Sequence, residues 1–340
     1  MNTTVGLDIG SHSIKLVELA KDKSGYTLRA AGSCPTPPKS LTSTLAADQE
    51  ALAIAVKKLF SDCGVTSREV SIALPESQVI TRVLEDVPQL SARELTSAIQ
   101  WEAEQYIPLP LAQVNVDFTI LRDAKQTGTG KMEVLLVAAP KVLVAKYVHI
   151  LELADVTVVG AETEIIAASR ALVRTVPTVK TVMVVSLGAQ TTDLAILHAG
   201  VLAFTRSISA GGEALSRAVA QGLDFELAQA EEFKRTYGVE QDKLEGKIVA
   251  ATKPVMDTIV SEMTRAIAFY QEKYKSERVE TVLLSGGTAR LPGMVVFIAQ
   301  ALGIETQLAN PWVGIQKGGQ YAALDTEGAV FSVAVGLALR

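Results

Sequence analysis

Asp8-Ile9-Gly10-Ser11-His12-Ser13-Ile14-Lys15, near the start of the chain, aligns without a gap on Ser186-Leu187-Gly188-Ala189-Gln190-Thr191-Thr192-Asp193. The first octapeptide joins the apolar run VGLDI to SIKLVELA, and the second joins VMVVSL to DLAIL. Apolar runs on either side of a glycine-containing bend read as strand, turn and strand. A third strand follows each pair, one beginning at Tyr26 after Ser24-Gly25, the other being VLAFTRSI after His198-Ala199-Gly200. The opening meander is therefore repeated in the second half, which is the mark of an internal duplication.

Both bends carry glycine and hydroxyl residues and so offer clustered backbone N–H groups, which bind phosphate oxygens. Facing each other across a cleft, they could grip a polyphosphate from two sides. In the first bend Asp8 can hold a hydrated Mg²⁺, a hard cation that prefers carboxylate and water oxygens. Gly10 permits close backbone approach, Ser11 and Ser13 can donate hydroxyls to phosphate, and Lys15 can neutralise it as a point charge. His12 lies in the same bend. In the second, Gly188, Ala189, Gln190 and Thr191 form the bend and Asp193 supplies an acidic group after it. A third element, Ser285-Gly286-Gly287-Thr288, follows the apolar run TVLLS, and its glycines let the backbone lie flat against a nucleoside.

Around these motifs the pattern is α/β. A chain of 340 residues with 48% hydrophobic and 20% charged content needs two or more subdomains. The expected division is a first domain at 1–77, continued at 156–178 and 327–340, an inserted α+β subdomain at 78–155, and a second domain at 179–326. A helix at about Asp48–Asp62 puts Leu52, Val56 and Leu59 on one face and ends at Gly64, and VSIAL (70–74) reads as a buried strand. The insertion reads strand, helix, strand, strand, helix. Ser91 and Glu94 make a capping box for its first helix, which carries Leu95 and Ile99. Trp101 and Tyr106, with Ile107 and Pro108, form either an exposed ledge or, for Trp101, core packing. Later helices are expected at Gly212–Ala220, Phe225–Tyr237, Lys247–Lys275, up to Leu302, and from Ala329.

Composition excludes several function classes. A net charge of −5 gives no basic field for nucleic acid. Two cysteines, Cys34 and Cys63, are too few for a disulfide framework or a thiolate metal site and suit a reducing compartment. MNTTVGLDIG lacks the continuous apolar stretch of a secretory signal, and no apolar run reaches the ~18 residues that span a bilayer. A cytoplasmic protein is expected, meeting membranes only through a partner. His12, His149 and His198 show no metal-ligand spacing, and no Gly-x-Ser-x-Gly elbow is present.

With these motifs on the page, the chain resembles the actin, Hsp70 and hexokinase superfamily, whose two related domains close on ATP. DIGSHSIK is similar to its first phosphate motif, SLGAQTTD to its second and LLSGGTARLPGM to its adenosine motif. AIQWEAEQYIPLPL (98–111), MEVLLVAAP (132–140), FTRSISAGGEALSRAVA (204–220) and the terminal VAVGLALR resemble the PilM family of type IV pilus machines. The resemblance runs from about Val5 to Arg340. It implies an actin-like, RNase H-like two-domain fold with an insertion, ATP and Mg²⁺ as cofactors, and a role as an adaptor for pilus assembly and twitching motility. The implied partners are the cytoplasmic N-terminal tail of the membrane protein PilN, docked between insertion and first domain, other platform or motor proteins, and copies of the chain itself.

The resemblance also implies site residues. Gly211, Gly212 and Glu213 match the turn that meets the ribose, and Glu231 and Lys234 the helical pair flanking the nucleoside. Glu162, in VVGAETEIIAA, resembles the residue that orients attacking water, with Glu164 as the nearby substitute. The departures concern catalysis. Ser186 stands where the second phosphate motif begins with Asp, and Ala189-Gln190 replace its glycines. Losing a metal-ordering carboxylate slows phosphoryl transfer more than binding, so ATP binding with slow hydrolysis is expected. Two alternatives are an FtsA-like filament-forming cell-division protein and a small-molecule kinase, for which Asp193 is the one base candidate.

Overall fold

The computed structural model describes residues 2–274 and 277–340. Strands β1 (Asn2–Ile9), β2 (Ser13–Asp22) and β3 (Gly25–Pro35) form an antiparallel meander. Helix α1 (Ala46–Cys63) buries Leu52, Val56, Leu59 and Phe60, each worth about 1.5–3 kcal/mol of apolar burial. It stops at Gly64, whose left-handed backbone (φ 67°) returns its N–H to the last turn. Strand β4 (Glu69–Leu74) then runs parallel to β1.

A 3₁₀ turn, Glu76–Gln78, leaves this sheet. The chain continues through β5 (Ile80–Pro88), α2 (Ala92–Tyr106), β6 (Val114–Arg122), the single turn α3 (Ala124–Thr127), β7 (Lys131–Pro140) and α4 (Lys141–Leu153). A separate three-stranded sheet, β5-β7-β6, is covered by α2. Ser91 and Glu94 close the capping box of α2, while Leu95, Ile99 and Ala103 face the sheet at helical spacing. Trp101, two residues beyond Ile99, falls on the opposite face and is 64% exposed, which rules out core packing for it, whereas Ile107, expected on the same ledge, is buried under the helix. The apolar side of α4 packs on α1 and within the core of the first sheet, through Leu143, Tyr147, Ile150 and Leu151.

Strand β8 (Thr157–Thr163) rejoins the first sheet beside β4, and α5 (Glu164–Leu172) follows at once. A second meander comes next: β9 (Thr181–Leu187), β10 (Thr192–His198) and β11 (Val201–Ile208). Helices α6 (Gly212–Leu223), α7 (Leu227–Tyr237) and α8 (Lys247–Lys273) follow. Lys275, the expected end of α8, lies outside the described residues. Then come β12 (Thr281–Ser285), α9 (Met294–Leu302) and β13 (Glu305–Leu308). The chain returns through β14 (Ile315–Gln316), α10 (Leu324–Glu327) and α11 (Ser332–Ala338).

The two main sheets have orders β14-β3-β2-β1-β4-β8 and β11-β10-β9-β12-β13. In each, the first strand of the meander pairs with a parallel strand on its other side, β4 beside β1 and β12 beside β9. Helices α5 and α11 pack on each other between the sheets, with α5 reaching β9 and β10 and α11 reaching β1. The bends of both meanders thereby come to the same gap. No helix among the described residues is long and apolar enough to cross a membrane.

Candidate functional site

The two bends are built alike. Asp8 stands opposite Lys15 across β1–β2, and Ser186 stands opposite Asp193 across β9–β10. The Gly10 N–H donates to the Ser13 carbonyl at 3.2 Å, and the Gly188 N–H to the Thr191 carbonyl at 2.9 Å. The aligned octapeptides thus share register and turn hydrogen bond.

In the first bend the Lys15 ammonium sits 3.1 Å from the Asp8 carboxylate and donates to the Ser13 carbonyl at 3.2 Å. Both groups are nearly buried, so this pair holds two charges out of water. Ser11 and His12 are exposed at the tip. In the second bend the Thr191 hydroxyl donates to Asp193 at 2.9 Å, while Asp193 Oδ1, also buried, has no partner. Burial raises the Asp193 carboxyl above its ordinary range, and the Ser207 and Thr191 hydroxyls beside it offset part of this.

Three elements of the second domain meet at one atom. The Gly188 carbonyl accepts from the Gly212 N–H at 3.0 Å and from the Thr288 hydroxyl at 2.8 Å. Beside it the Ala189 carbonyl accepts from the Glu213 N–H at 2.8 Å. Gly211 is required there, since a Cβ would lie 2.7 Å from the Ala189 oxygen. Gly286 is required twice over, by a φ of +87° and by the Leu187 carbonyl 2.4 Å from where its Cβ would be. Gly287 faces open space.

Lys234 extends this network. Its ammonium, almost fully buried, donates to the Gly212 carbonyl at 2.9 Å, to the Ser216 hydroxyl at 2.8 Å and to Glu231 at 2.6 Å, and Ser216 also donates to Glu231. Burial alone would raise the Glu231 carboxyl; Lys234 and Ser216 hold it below its ordinary range. An open depression lined by Ala228, Glu231, Glu232, Arg235 and Thr236 continues from this point over α7. Glu213 is exposed and pairs loosely with Arg217 on its own helix.

The structure separates Glu162 from Glu164. Glu162 is on β8 and is gripped by the Arg170 guanidinium at 2.5 and 2.6 Å, with Arg170 also bound to the Gly336 carbonyl. That bidentate pair engages both carboxylate oxygens of Glu162, the expected water-orienting residue. Glu164 opens α5 and looks into the gap between the bends. Burial, then Asp8 and Asp193, push its carboxyl well up, with Lys15 opposing. Glu76, from the 3₁₀ turn, faces the same group. The strand-to-helix switch after Thr163 sends residues two apart in opposite directions. Sequence reasoning missed Glu76 and Ser216; for Ser216 its one-turn spacing from Gly212 was a usable signal.

Four carboxylates, Asp8, Glu76, Glu164 and Asp193, therefore bear on one gap. Among the described residues no three His, Cys, Asp or Glu side chains converge closely enough to hold a bare metal ion. The donor set suits a hydrated hard cation, since Asp193 Oδ1 has bonding capacity to spare. The turn N–H groups, Lys15 and the Gly286-Gly287 surface suit a phosphorylated, flat ligand.

The family model for "Type IV pilus assembly protein PilM" matches residues 6–340. The chain belongs to the PilM family. A chain from the solved "PilM-PilN type IV pilus biogenesis complex" superposes with a TM-score of 0.87 at 30% identity, covering 99% of this chain and 98% of that one. The cell division protein FtsA of Streptococcus pneumoniae serotype 2 is 23% identical over 92% of this chain and 76% of its own length. MreB5 of Spiroplasma citri, solved with AMPPNP, matches with a TM-score of 0.52 at 12% identity, covering 99% and 95%. The fold is actin-like, and FtsA stands beside the PilM family as a relative.

Proposed function

We propose that the chain is a cytoplasmic, ATP-responsive adaptor of a type IV pilus assembly complex that docks the cytoplasmic tail of a PilN-type membrane protein. The observation that carries this is the match, over 99% of the chain, to a PilM solved in complex with PilN. The cleft supports the nucleotide part. Lys15 and the N–H groups at the bend tips, Ser11–His12 and Ala189–Gln190, would take the phosphates. Lys234, Ser216 and Glu231 would flank the nucleoside over Gly286-Gly287-Thr288. Asp8 and Asp193 would order the waters of Mg²⁺, whose chemistry is to neutralise phosphate charge.

Hydrolysis is slow in this reading. Ser186 brings no carboxylate to the metal side, so the charge that develops during phosphoryl transfer is less well ordered than the phosphates of the bound nucleotide. ATP then acts mainly by holding the domains closed, and closure changes the surface offered to the tail. The test is fluorescence anisotropy of a labelled PilN tail peptide against the full chain, with and without Mg-ATP. A shift in affinity of about fivefold or more supports the switch; equal affinity removes it and leaves the adaptor; no binding removes both. Self-association like that of a filament-forming relative would appear in sedimentation with ATP, and a kinase would release ADP only with a small-molecule substrate.

A further inference from the structure

Glu76 is only 5% exposed, on the turn where the chain leaves the first sheet for the inserted one. Its carboxyl faces the hydroxyls of Thr163, Thr205 and Thr81. Thr163 ends β8 next to Glu164, Thr205 belongs to β11 of the second domain, and Thr81 belongs to β5 of the insertion. One buried carboxyl therefore meets all three bodies. Strand β11 packs against both the Glu76 turn and β5.

A polar path leads from this carboxyl to the cleft. Ser207 stands opposite Asp193 across β10–β11 and faces its carboxylate. Thr205, two residues back on the same strand, shares the face of Ser207 and reaches Glu76. Along this path Glu76 Oε2, Thr81 Oγ1, Thr163 Oγ1, Asp193 Oδ1 and Ser207 Oγ are buried without a close hydrogen-bond partner. An unpaired buried polar group costs about 1–3 kcal/mol. An array of them at a junction of three bodies makes the relative placement of those bodies sensitive to any change at Asp193.

The other end of β5 is also tied to the second domain. Glu85 accepts from the Tyr274 hydroxyl at 2.8 Å and pairs with Lys273 at 2.7 Å, at the end of α8. A shift of the second domain would carry β5 with it at both ends.

We propose that Glu76 is a positioning residue that couples the state of the cleft at Asp193 to the inserted subdomain, with β5 as the part that moves. This rests on the nucleotide reading of the cleft. The experiment is hydrogen exchange on the full chain with and without Mg-ATP, alongside equilibrium dialysis of ATP. Wild type is expected to show slowed exchange at 79–88 on nucleotide addition. Thr205→Val keeps side-chain shape and removes the hydroxyl facing Glu76 from β11; Thr81→Val does the same from β5. Both are expected to bind ATP within about threefold of wild type while the response at 79–88 falls by at least about fivefold. A role in stability alone would speed exchange throughout the chain and leave the nucleotide response in place. The proposal is overturned if both variants keep the response at 79–88, or if wild type binds ATP without one. Failure of wild type to bind ATP in dialysis would overturn the cleft reading as well, so the two failures are told apart.

Discussion

The two duplicated hairpins have the same backbone and opposite charge economies. In β1–β2 the cross-strand pair is Asp8 and Lys15, a carboxylate matched by an ammonium. In β9–β10 it is Ser186 and Asp193, and the carboxylate keeps an unpaired oxygen. Register and turn hydrogen bond are set by where the glycine sits and by apolar residues filling the sheet, and both hairpins satisfy those demands. The polar side chains at the bend are free of them, so the copies diverged there. One hairpin is internally balanced. The other leaves negative charge to be matched from outside.

The largest effect is expected from breaking the balanced hairpin. Lys15→Met leaves Asp8 buried and alone, and loss of one partner of a buried pair costs about 3–5 kcal/mol. A drop of that size in chemical denaturation is expected, with Mg-ATP affinity falling at least about thirtyfold by calorimetry. Adding Asp8→Asn should recover most of the stability and none of the affinity. If the double variant binds ATP as wild type does, the first hairpin has no part in binding.

Next comes relief at the unbalanced side. Burial, then Asp193 among the opposing and supporting neighbours, brings the Glu76 carboxyl up to about 7. Because the folded value is raised, the folded chain keeps this proton while the unfolded chain releases it near 4.5. Stability from this group is full below about pH 4.5, is lost as pH climbs to about 7, and stays lost above. A shift of that size is worth about 3 kcal/mol. Glu76→Gln should therefore stabilise the nucleotide-free chain at pH 8 by up to that amount and flatten its melting temperature between pH 5 and 8. Glu164 and Asp193, also raised, supply the slope that remains. An unchanged slope in the variant would show that Glu76 does not titrate there.

How much of this was legible in the sequence follows from the same distinction. The duplicated bends, the Gly64 stop and the Ser91–Glu94 cap are local patterns, and local backbone demands wrote them into adjacent residues. The actin-like fold followed from their order. Glu76 and Ser216 act through groups far along the chain, so no spacing announces Glu76 and only one helical turn announces Ser216. The choice between Glu162 and Glu164 depended on where β8 stops and on an arginine six residues past Glu164. Trp101 was ambiguous because a lone aromatic among polar residues of a helix suits a ledge or a core on paper until the helix phase is fixed.

A third test makes the hairpins more alike. Ser186→Asp gives the second hairpin the carboxylate that Asp8 gives the first. It places two like charges directly opposite each other on β9–β10, costing about 1 kcal/mol without metal. With Mg²⁺ present that cost should vanish and ATP turnover should rise about tenfold, equivalent to about 1.4 kcal/mol of barrier. Melts with and without Mg²⁺, together with a phosphate-release assay, check both halves. Unchanged turnover would place the limitation at Glu164 and not at Ser186.

The last test, which includes the smallest expected effect, separates the hairpins at their most similar point. Ser13 and Thr191 occupy the same turn position, and each holds the polar residue two places on, but by different atoms. Ser13 uses its backbone carbonyl to accept from Lys15, whereas Thr191 uses its hydroxyl to donate to Asp193. Ser13→Ala should therefore leave stability within about 0.5 kcal/mol of wild type. Thr191→Val keeps the shape but removes a hydrogen bond to a carboxylate, worth about 1.5 kcal/mol when the acceptor is charged. Because that donor lowers the Asp193 carboxyl, its loss raises the folded value further. The deficit should then grow as pH rises, because the lost donor acts on the ionised carboxylate. Equal losses from both substitutions, or a Thr191→Val deficit that does not grow with pH, would mean that the second hairpin manages its charge as the first does.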